Sequence, residues 1–211
     1  MSPRRPPRRG FTLIELMIVV AIVAILAVLA IFGIRKYLAH SKTAEATNTI
    51  GMINQLSVAA YEKERAISEA AVGTSGTAVH QLCDTSDQVP NTVASVSNKK
   101  YTPDPAADYL ARGANNNETK GWICLKFEMN QPQYFAYKYT LGAAPAFAGG
   151  TTPVAAAALP AAMTAANGWN ACGAGDLDGD GENSLFCVGG FTDATATPHT
   201  STQVAKADEE E

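Results

Sequence analysis

An acidic run near the C-terminus has the residue types and spacing of a cation-binding loop. Its sequence, GDLDGDGENS, covers residues 175–184 and contains the D-x-D-x-D-G pattern that opens an EF-hand loop. Alternate aspartates direct oxygen atoms at one hard cation, and the following glycine permits a sharp turn. The candidate ligands are Asp176, Asp178 and Asp180. The twelfth position is Cys187 instead of a bidentate glutamate, so we expect a partial Ca²⁺ site or, alternatively, a solvated acidic turn.

A lone carboxylate lies inside an apolar run close to the N-terminus. Glu15 is the fifth residue of the run 11–34, in which Thr12 is the only other strongly polar residue. A charge at a bilayer centre costs about 2.5–3.5 kcal/mol on insertion scales, so an intramembrane carboxylate is a functional-site hypothesis by default. The run follows Arg-Arg-Gly at residues 8–10. These residues define a second candidate site.

Other reactive residues are scattered. The sequence has no G-x-S-x-G, Walker A, G-x-G-x-x-G or H-E-x-x-H pattern, and its histidines have no ligand spacing. We therefore expect no enzymatic activity, no catalytic residues and no required cofactor. Four of the 16 basic residues lie in the first ten positions, so the remaining chain has 12 basic residues against 20 acids and a net charge of −8. This balance argues against a specific nucleic-acid partner.

The apolar run must form the element that positions Glu15. As a helix, its 24 residues span about 36 Å, enough to cross a bilayer core with some tilt. The arginines before it predict a cytoplasmic N-terminus and an extracytoplasmic chain after Lys36. A secretory signal peptide has a shorter apolar part with a small residue after it, whereas Gly10 stands before this run. A buried helix of a soluble protein is the other alternative, which the length disfavours.

The helical pattern continues beyond the apolar run and becomes amphipathic. Apolar residues recur at steps of three, three, four and seven, which places them on one face of a helix. They are Ile50, Ile53, Leu56, Ala60 and Ile67. Gly73 is a plausible C-terminal stop. The pattern predicts one helix from Phe11 to Val72.

The rest of the chain has the pattern of a small antiparallel sheet. Alternating apolar residues predict strands at 121–129 and 134–141, joined by the turn-like Asn130-Gln131-Pro132-Gln133 into a hairpin. A third strand is predicted at 184–190. Residues 73–120 read as loop, and the Ala-, Thr- and Pro-rich stretch 143–166 as a variable surface insertion. A long helix packed on this sheet is an α+β fold.

The decapeptide RRGFTLIELM at residues 8–17 closely resembles the class III signal and helix start of type IV pilins and type II secretion pseudopilins. In that family a membrane prepilin peptidase cuts after the glycine, and the new N-terminal phenylalanine is N-methylated. The resemblance implies cleavage between Gly10 and Phe11, and it makes Glu15 the fifth residue of the mature chain. The subunits of the family then form a filament with their hydrophobic helices at its centre.

The electrostatics of Glu15 agree with such an assembly. Cleavage creates an ammonium group on Phe11 at the positive end of a helix, where a cation is disfavoured. If Glu15 of one subunit meets Phe11 of the next, each buried charge gains a counter-ion, and breaking such a pair costs about 3–5 kcal/mol. A heterologous contact whose rotation does not close generates an open helical filament. The alternative is a carboxylate that extends to the lipid headgroups.

The resemblance also implies how the chain is divided. The implied segments are a cleaved leader at 1–10, a transmembrane and filament-core half-helix at 11–34, an amphipathic half-helix at 35–72 and a globular β-sheet head at 73–211. One position departs from the family, because many relatives have a proline where this chain has Phe32. The next residue, Gly33, costs about 1 kcal/mol against alanine in a helix and offers a point for local unwinding.

The function implied by the resemblance is that of a structural subunit, the major pilin of a type IVa pilus. Such a chain is an inner-membrane prepilin that the pilus assembly machinery adds to a homo-oligomeric cell-surface filament. Twitching motility, adhesion and DNA uptake are the implied uses. Three alternatives stay open: a type II secretion pseudopilin, a minor pilin, and a monomeric membrane-anchored binding domain.

The four cysteines lie in the region expected to be extracytoplasmic. None has CxxC spacing, which disfavours a zinc or thioredoxin-type site. Three connectivities are possible. We favour Cys83–Cys124 with Cys172–Cys187, because the second bond would close a short loop onto the third predicted strand, and the resemblance implies a C-terminal loop stapled in this way. A fully reduced chain is the alternative.

Overall fold

One long helix forms the N-terminal part of the chain. The computed structural model describes residues 10–63, 65–66, 78–149 and 159–207, and helix α1 covers Leu13–Glu62. The prediction that this helix extends to Val72 is wrong, because strand β1 begins at Arg65. The imidazole Nδ1 of His80 lies 3.0 Å from the carbonyl oxygen of Tyr61, to which it donates. This bond satisfies one of the carbonyls that a helix leaves unpaired in its last turn.

The chain divides into two compact units, Met1–His40 and Ser41–Glu211. In the first unit, the segment Leu13–Ile34 of α1 is long and apolar enough to span a membrane, with a mean hydropathy of 3.2. None of this segment is buried against the residues that the structure describes. Within the predicted segment 11–34, the residues from Leu13 onward form a continuous, exposed apolar helix; its place in a filament core stays a prediction.

In the second unit an antiparallel sheet packs beside the remainder of α1. The strands are β1 Arg65–Ala66, β2 Ala78–Val79, β3 Ala136–Leu141, β4 Gly168–Gly175, β5 Ser184–Thr192, β6 Pro198–Thr200 and β7 Ala205–Ala207. The spatial order in the main sheet is β3-β4-β5-β6, and β7 also pairs with β5. A separate two-stranded sheet pairs β1 with β2. The α+β layout predicted from the sequence is confirmed, and β3 and β5 correspond to the strands predicted at 134–141 and 184–190.

The hairpin predicted at 121–141 is wrong in its first arm. Residues Gly121–Leu125 form a short helix, α2, in place of a strand. The side chain of Asn116 accepts a hydrogen bond from the Ile123 backbone N–H at 2.9 Å, which satisfies a donor that the first turn leaves unpaired. Lys126 then adopts a left-handed conformation that ends the helix. The turn buries Trp122, which period-two alternation would have turned away from the core.

The central strand β4 was not predicted. Its sequence, GWNACGAG, lacks the β-branched residues that favour strands, yet all eight residues are buried. Aromatic rings of β3 and of the residue directly before it explain the glycines. A side chain at Gly173 would contact the Tyr137 ring, and one at Gly175 would approach the Phe135 ring to 2.7 Å. The sheet therefore requires small residues where large rings cross it.

The sheet is buried on both faces. Phe135, Tyr137 and Tyr139 share the face that packs with α1 through Ile50 and Ile53, as their alternation predicted. The opposite face is covered by a second cluster whose members come from the ends of the stretch 143–166 and from the short turn Val93–Ser95. They include Val93, Val96, Phe147, Leu159 and Met163. The predicted surface insertion thus contributes core residues, whereas its part at 150–158 lies outside the described residues.

Candidate functional site

The start of α1 is built as a capping box around Glu15. The backbone N–H of Thr12 donates to Oε2 of Glu15 at 2.9 Å, and the Thr12 hydroxyl donates to the same oxygen at 2.7 Å. In return, the backbone N–H of Glu15 donates to the Thr12 hydroxyl oxygen at 3.3 Å. The helix begins at Leu13, so Thr12 is its N-cap and Glu15 its third residue. This is the reciprocal pattern S/T-x-x-E that satisfies two unpaired helix donors at once.

The capping box fixes where the carboxylate can act. Glu15 is held over the first turn of α1, beside the backbone that leads to Phe11, whose side chain is 81% exposed. Both bonds to the carboxylate use Oε2, and the structure shows no hydrogen bond to Oε1 from the residues it describes. The predicted assembly residues Phe11 and Glu15 are therefore brought to one end of the helix, with one carboxylate oxygen available to a further donor. Glu15 was predicted from the sequence, whereas the role of Thr12 as N-cap was not. The T-x-x-E spacing of Thr12 and Glu15 was the available signal.

The apolar helix behind this end is the largest exposed apolar surface in the described part of the chain. Its large apolar side chains from Leu13 to Ile34 are between 52% and 77% exposed. Monomeric soluble proteins rarely expose contiguous apolar patches larger than a few hundred Å². Such a surface requires either lipid or other protein chains. Gly10 and Phe11, the predicted processing residues, precede the helix in non-helical backbone, and Gly33 lies within the continuous helix.

The acidic loop lies in the turn between β4 and β5. Carboxylate oxygens of Asp176, Asp178 and Asp180 lie within 4.8 Å of one another. Asp176 is buried and accepts from the Ser97 hydroxyl at 2.8 Å and from the Gly179 N–H at 2.6 Å. Asp178 accepts from the Asp180 N–H at 3.1 Å, and Asp180 from the Glu182 N–H at 2.7 Å. The three carboxylates could together ligate a hard cation, but these bonds also account for the loop as a hydrogen-bonded turn.

Two disulfides hold the head, with the pairings favoured from the sequence. Cys83 and Cys124 connect a loop to α2, with an S–S distance of 2.07 Å. Cys172 and Cys187 are directly opposite each other on β4 and β5, with an S–S distance of 2.11 Å. The second bond is therefore a cross-strand link inside the sheet, and the acidic turn is the loop that it closes.

A buried polar contact between α1 and the sheet was missed by the sequence analysis. Glu45 accepts a hydrogen bond from the Tyr134 backbone N–H at 2.8 Å. The ammonium groups of Lys42 and Lys100 lie 4.8 Å and 4.6 Å from the centre of the Tyr134 ring, within cation–π range. Burial raises the pKa of Glu45, although the Tyr134 N–H and the Lys100 cation oppose that shift. The side chains of Lys42 and Glu45 thus point at the head.

A second polar contact connects the same two elements. The indole N–H of Trp169 donates to Oδ1 of Asn54 at 2.8 Å, deep between α1 and β4. Burying these polar groups is tolerable only because they are paired. Together with the contacts of Glu45, this bond fixes the register of the amphipathic half-helix on the sheet.

A comparison with protein families identifies the N-terminal region. Residues 5–34 match the model of the prokaryotic N-terminal methylation motif. Neither the comparison with curated proteins nor that with solved structures found a match. The motif, the exposed apolar helix and the small antiparallel sheet support a protein of the type IV pilin and pseudopilin type. At this level the motif implies processing by prepilin peptidase, a membrane-anchored precursor and assembly into filaments, and its family is structural instead of enzymatic.

Proposed function

We propose that this chain is the structural subunit of a type IV pilus, cut between Gly10 and Phe11 and polymerised through residues 11–34. The observation that carries the proposal is the apolar helix Leu13–Ile34, which none of the described residues buries and which begins with a capping box directly after the processing motif. A segment of this kind is stable in lipid before assembly and among other copies afterwards.

The capping box gives a mechanism for joining subunits. Cleavage leaves an ammonium group on Phe11, and Thr12 holds Glu15 by Oε2. We propose that Oε1 accepts a hydrogen bond from the Phe11 ammonium of a neighbouring copy. The capping bonds keep the carboxylate partnered within its chain before assembly, and they orient it for the incoming cation. Charge-assisted bonds of this type are roughly twice as strong as neutral ones.

The proposal favours a major pilin over a type II secretion pseudopilin. The head has two disulfides, one of them across the sheet beside the acidic turn, and the stretch 143–166 enlarges it. Exported filaments exposed to shear benefit from such covalent links. Twitching motility, adhesion and DNA uptake are the proposed uses, powered by cytoplasmic motors of the assembly machinery.

Electron microscopy of a deletion strain separates the two candidates. A pilus subunit predicts loss of surface filaments with protein secretion intact. Secretion loss with filaments retained would instead identify a pseudopilin. A minor pilin predicts that filaments persist in reduced number in the deletion strain and that wild-type filaments contain little of this chain. A monomeric anchored domain predicts that neither filaments nor secretion change.

A further inference from the structure

A pocket of about 260 Å³ lies on the head where three segments of the chain meet. The first segment is residues 84–88, which follow β2. The second is the loop before α2, which contributes Asn115 and Lys120, and the third is β3, which contributes Lys138. We call this the polar pocket, because every residue that lines it has a polar or charged side chain. Ligand pockets are usually lined mainly by apolar residues, so this lining indicates a ligand with a polar surface.

Covalent and hydrogen bonds hold the walls of the polar pocket in place without a ligand. A disulfide from the residue before Asp84 to α2 joins the first segment to the helix that follows the second. The Asp84 backbone N–H donates to the Thr119 carbonyl oxygen at 3.0 Å, which pairs the same two segments. The Tyr139 backbone N–H donates to the Ser86 hydroxyl oxygen at 2.9 Å, which joins the first segment to β3. A pocket whose walls are already ordered binds without the entropic cost of arranging them.

The charges of the polar pocket balance. Asp84 and Asp87 contribute two carboxylates, and Lys120 and Lys138 contribute two ammonium groups. The Lys120 ammonium lies 2.9 Å from Oδ2 of Asp84, so one pair is neutralised within the pocket wall. A pocket of zero net charge has no net attraction for an anion or a cation. It therefore favours a ligand that is neutral or zwitterionic.

Several polar groups of the pocket retain hydrogen-bonding capacity for a ligand. Oδ1 of Asp87 accepts from the Asn115 side-chain amide at 3.1 Å, whereas Oδ2 accepts no bond from the described residues. The Lys138 ammonium donates to the Ala146 carbonyl oxygen at 2.7 Å, which leaves two of its three N–H groups for a ligand. The Thr85 hydroxyl accepts from a backbone N–H of β3 at 3.1 Å and can still donate its proton. The pocket thus offers an anionic acceptor together with charged and neutral donors.

We propose that the polar pocket binds one neutral pyranose unit of a polysaccharide; this inference deepens the adhesive use within the proposed function and rests on it. Each sugar hydroxyl both donates and accepts hydrogen bonds, so a ring of hydroxyls suits a pocket that holds a carboxylate acceptor and ammonium donors. The volume is below the about 300–1,000 Å³ of pockets for drug-sized ligands, which favours a single ring over several. A small zwitterion such as glycine is the competing ligand of balanced charge.

Saturation-transfer NMR on the solubilised full-length chain tests the ligand class. The chain is kept in a detergent without a sugar headgroup, since such a headgroup would compete. The probes are the methyl glycosides of glucose, galactose, mannose and N-acetylglucosamine, with glycine as the zwitterionic competitor. We expect transfer to at least one glycoside and no displacement of that glycoside by glycine. Transfer to none of the glycosides would overturn the proposal, as would displacement by glycine.

Substitutions in two different segments test the site. Asp87→Ala removes the available acceptor and Lys138→Met the available donor. Each is expected to weaken glycoside binding by about tenfold or more, because hydrogen bonds to charged groups contribute that much. The controls Glu128→Ala and Lys99→Met remove exposed charges outside the pocket and should retain wild-type binding. The melting temperature of each variant verifies that it is folded, and glycoside binding that survives both pocket substitutions would overturn the site.

The same measurements separate this inference from the proposed function. Because binding is measured on the solubilised chain, it does not require filaments. Filaments built from a chain that binds no glycoside would overturn the polar pocket alone. Glycoside binding by a chain that forms no filaments would support the pocket and overturn the proposed function.

Discussion

The two halves of helix α1 differ in whether their own chain buries their apolar residues. Residues 41–62 bury one face against a sheet of their own chain, through Ile50 and Ile53, and the side chains of Lys42 and Glu45 make polar contacts with the head. Leu13–Ile34 is more apolar, yet none of it is buried by the chain that carries it. One half of the helix therefore packs into the fold of its own chain, whereas the other half requires lipid or other protein chains around it. The folding stability of the chain and its assembly therefore depend on separate sets of residues.

The strongest test of this separation is the removal of Glu15. If its carboxylate pairs with the Phe11 ammonium of a neighbouring copy, Glu15→Ala leaves a buried cation without a counter-ion, which costs about 3–5 kcal/mol. We expect sheared filaments to fall below detection while the solubilised chain melts at the wild-type temperature. The control, Glu128→Ala, removes an exposed carboxylate of the head. Filaments of normal yield from Glu15→Ala would contradict the pairing.

Removing the disulfides should have the opposite effect to Glu15→Ala: the head loses folding stability, and the apolar half of α1 is unaffected. The loop between Cys83 and Cys124 spans 41 residues and that between Cys172 and Cys187 spans 15. The chain-entropy model gives about 4 and about 3 kcal/mol of stabilisation respectively. Double serine variants should lower the free energy of unfolding in that order, as measured by denaturant titration. Equal losses, or a larger loss for the shorter loop, would show that strain or packing outweighs chain entropy.

Thr12→Val sharpens the account of the apolar half. Valine keeps the shape but removes the hydroxyl, which both donates to Glu15 Oε2 and accepts from the Glu15 N–H. Loss of an N-cap costs about 1 kcal/mol, equivalent to about a fivefold change. Filament yield should therefore fall several-fold, and Thr12→Ser should restore it. A yield as low as that of Glu15→Ala would mean that Thr12 is required for pairing itself.

Added Ca²⁺ should change the folding stability of the head only. If Asp176, Asp178 and Asp180 ligate Ca²⁺, a concentration ten times the dissociation constant stabilises the folded chain by about 1.4 kcal/mol. Extracellular sites of this kind bind in the range of about 10⁻⁴–10⁻³ M. The melting temperature should rise with added Ca²⁺ in the wild type and stay constant in an Asp178→Asn, Asp180→Asn variant. No rise in the wild type would leave the hydrogen-bonded turn as the whole role of the loop.

The smallest effect concerns the pH dependence of the contact between α1 and the sheet. Burial raises the pKa of Glu45 above its ordinary value of 4.5, so its stabilising contribution is present below that pH and lost as pH rises through the raised pKa. Glu45→Gln should therefore gain stability relative to wild type as pH rises from about 4 to about 7. Urea titrations across that range measure the difference.

Asp193, on the turn between β5 and β6, is the control for the direction of this pH dependence. Hydrogen bonds, first from the Thr195 hydroxyl and then from His199, hold the pKa of Asp193 well below its ordinary value of 3.8. Its contribution is present above that pH and lost as pH falls towards the lowered pKa. Asp193→Asn should thus lose stability relative to wild type near neutral pH and approach it in acid. The same sign for Asp193→Asn and Glu45→Gln would contradict this assignment.

The sequence predicted features that have strong local signals. The start of α1, the spanning segment and the strands at β3 and β5 follow from periodicity, and the acidic turn from its spacing. Strand β4 could not be predicted, because Gly173 and Gly175 are dictated by rings of Phe135 and Tyr137 that are distant in sequence. Likewise, alternation at 121–129 could not reveal that Asn116 caps a helix there. The contact of His80 with the last turn of α1 is again a tertiary one that no local pattern signals.

The candidate site could be predicted only where its residues are neighbours in sequence. Gly10, Phe11 and Glu15 lie in one contiguous motif, so their grouping needs no knowledge of the fold. The inward turn of Lys42 and Glu45 depends on Tyr134, which is 89 residues from Glu45 in sequence.

Mass spectrometry of sheared surface filaments tests the central claim most directly, because it reads the N-terminus of the chain in its assembled state. We expect this chain to be the most abundant filament protein, and its first residue to be Phe11 carrying one N-methyl group. A chain that begins at Met1, a chain that begins after Ile34, or filaments that lack this protein would each contradict it.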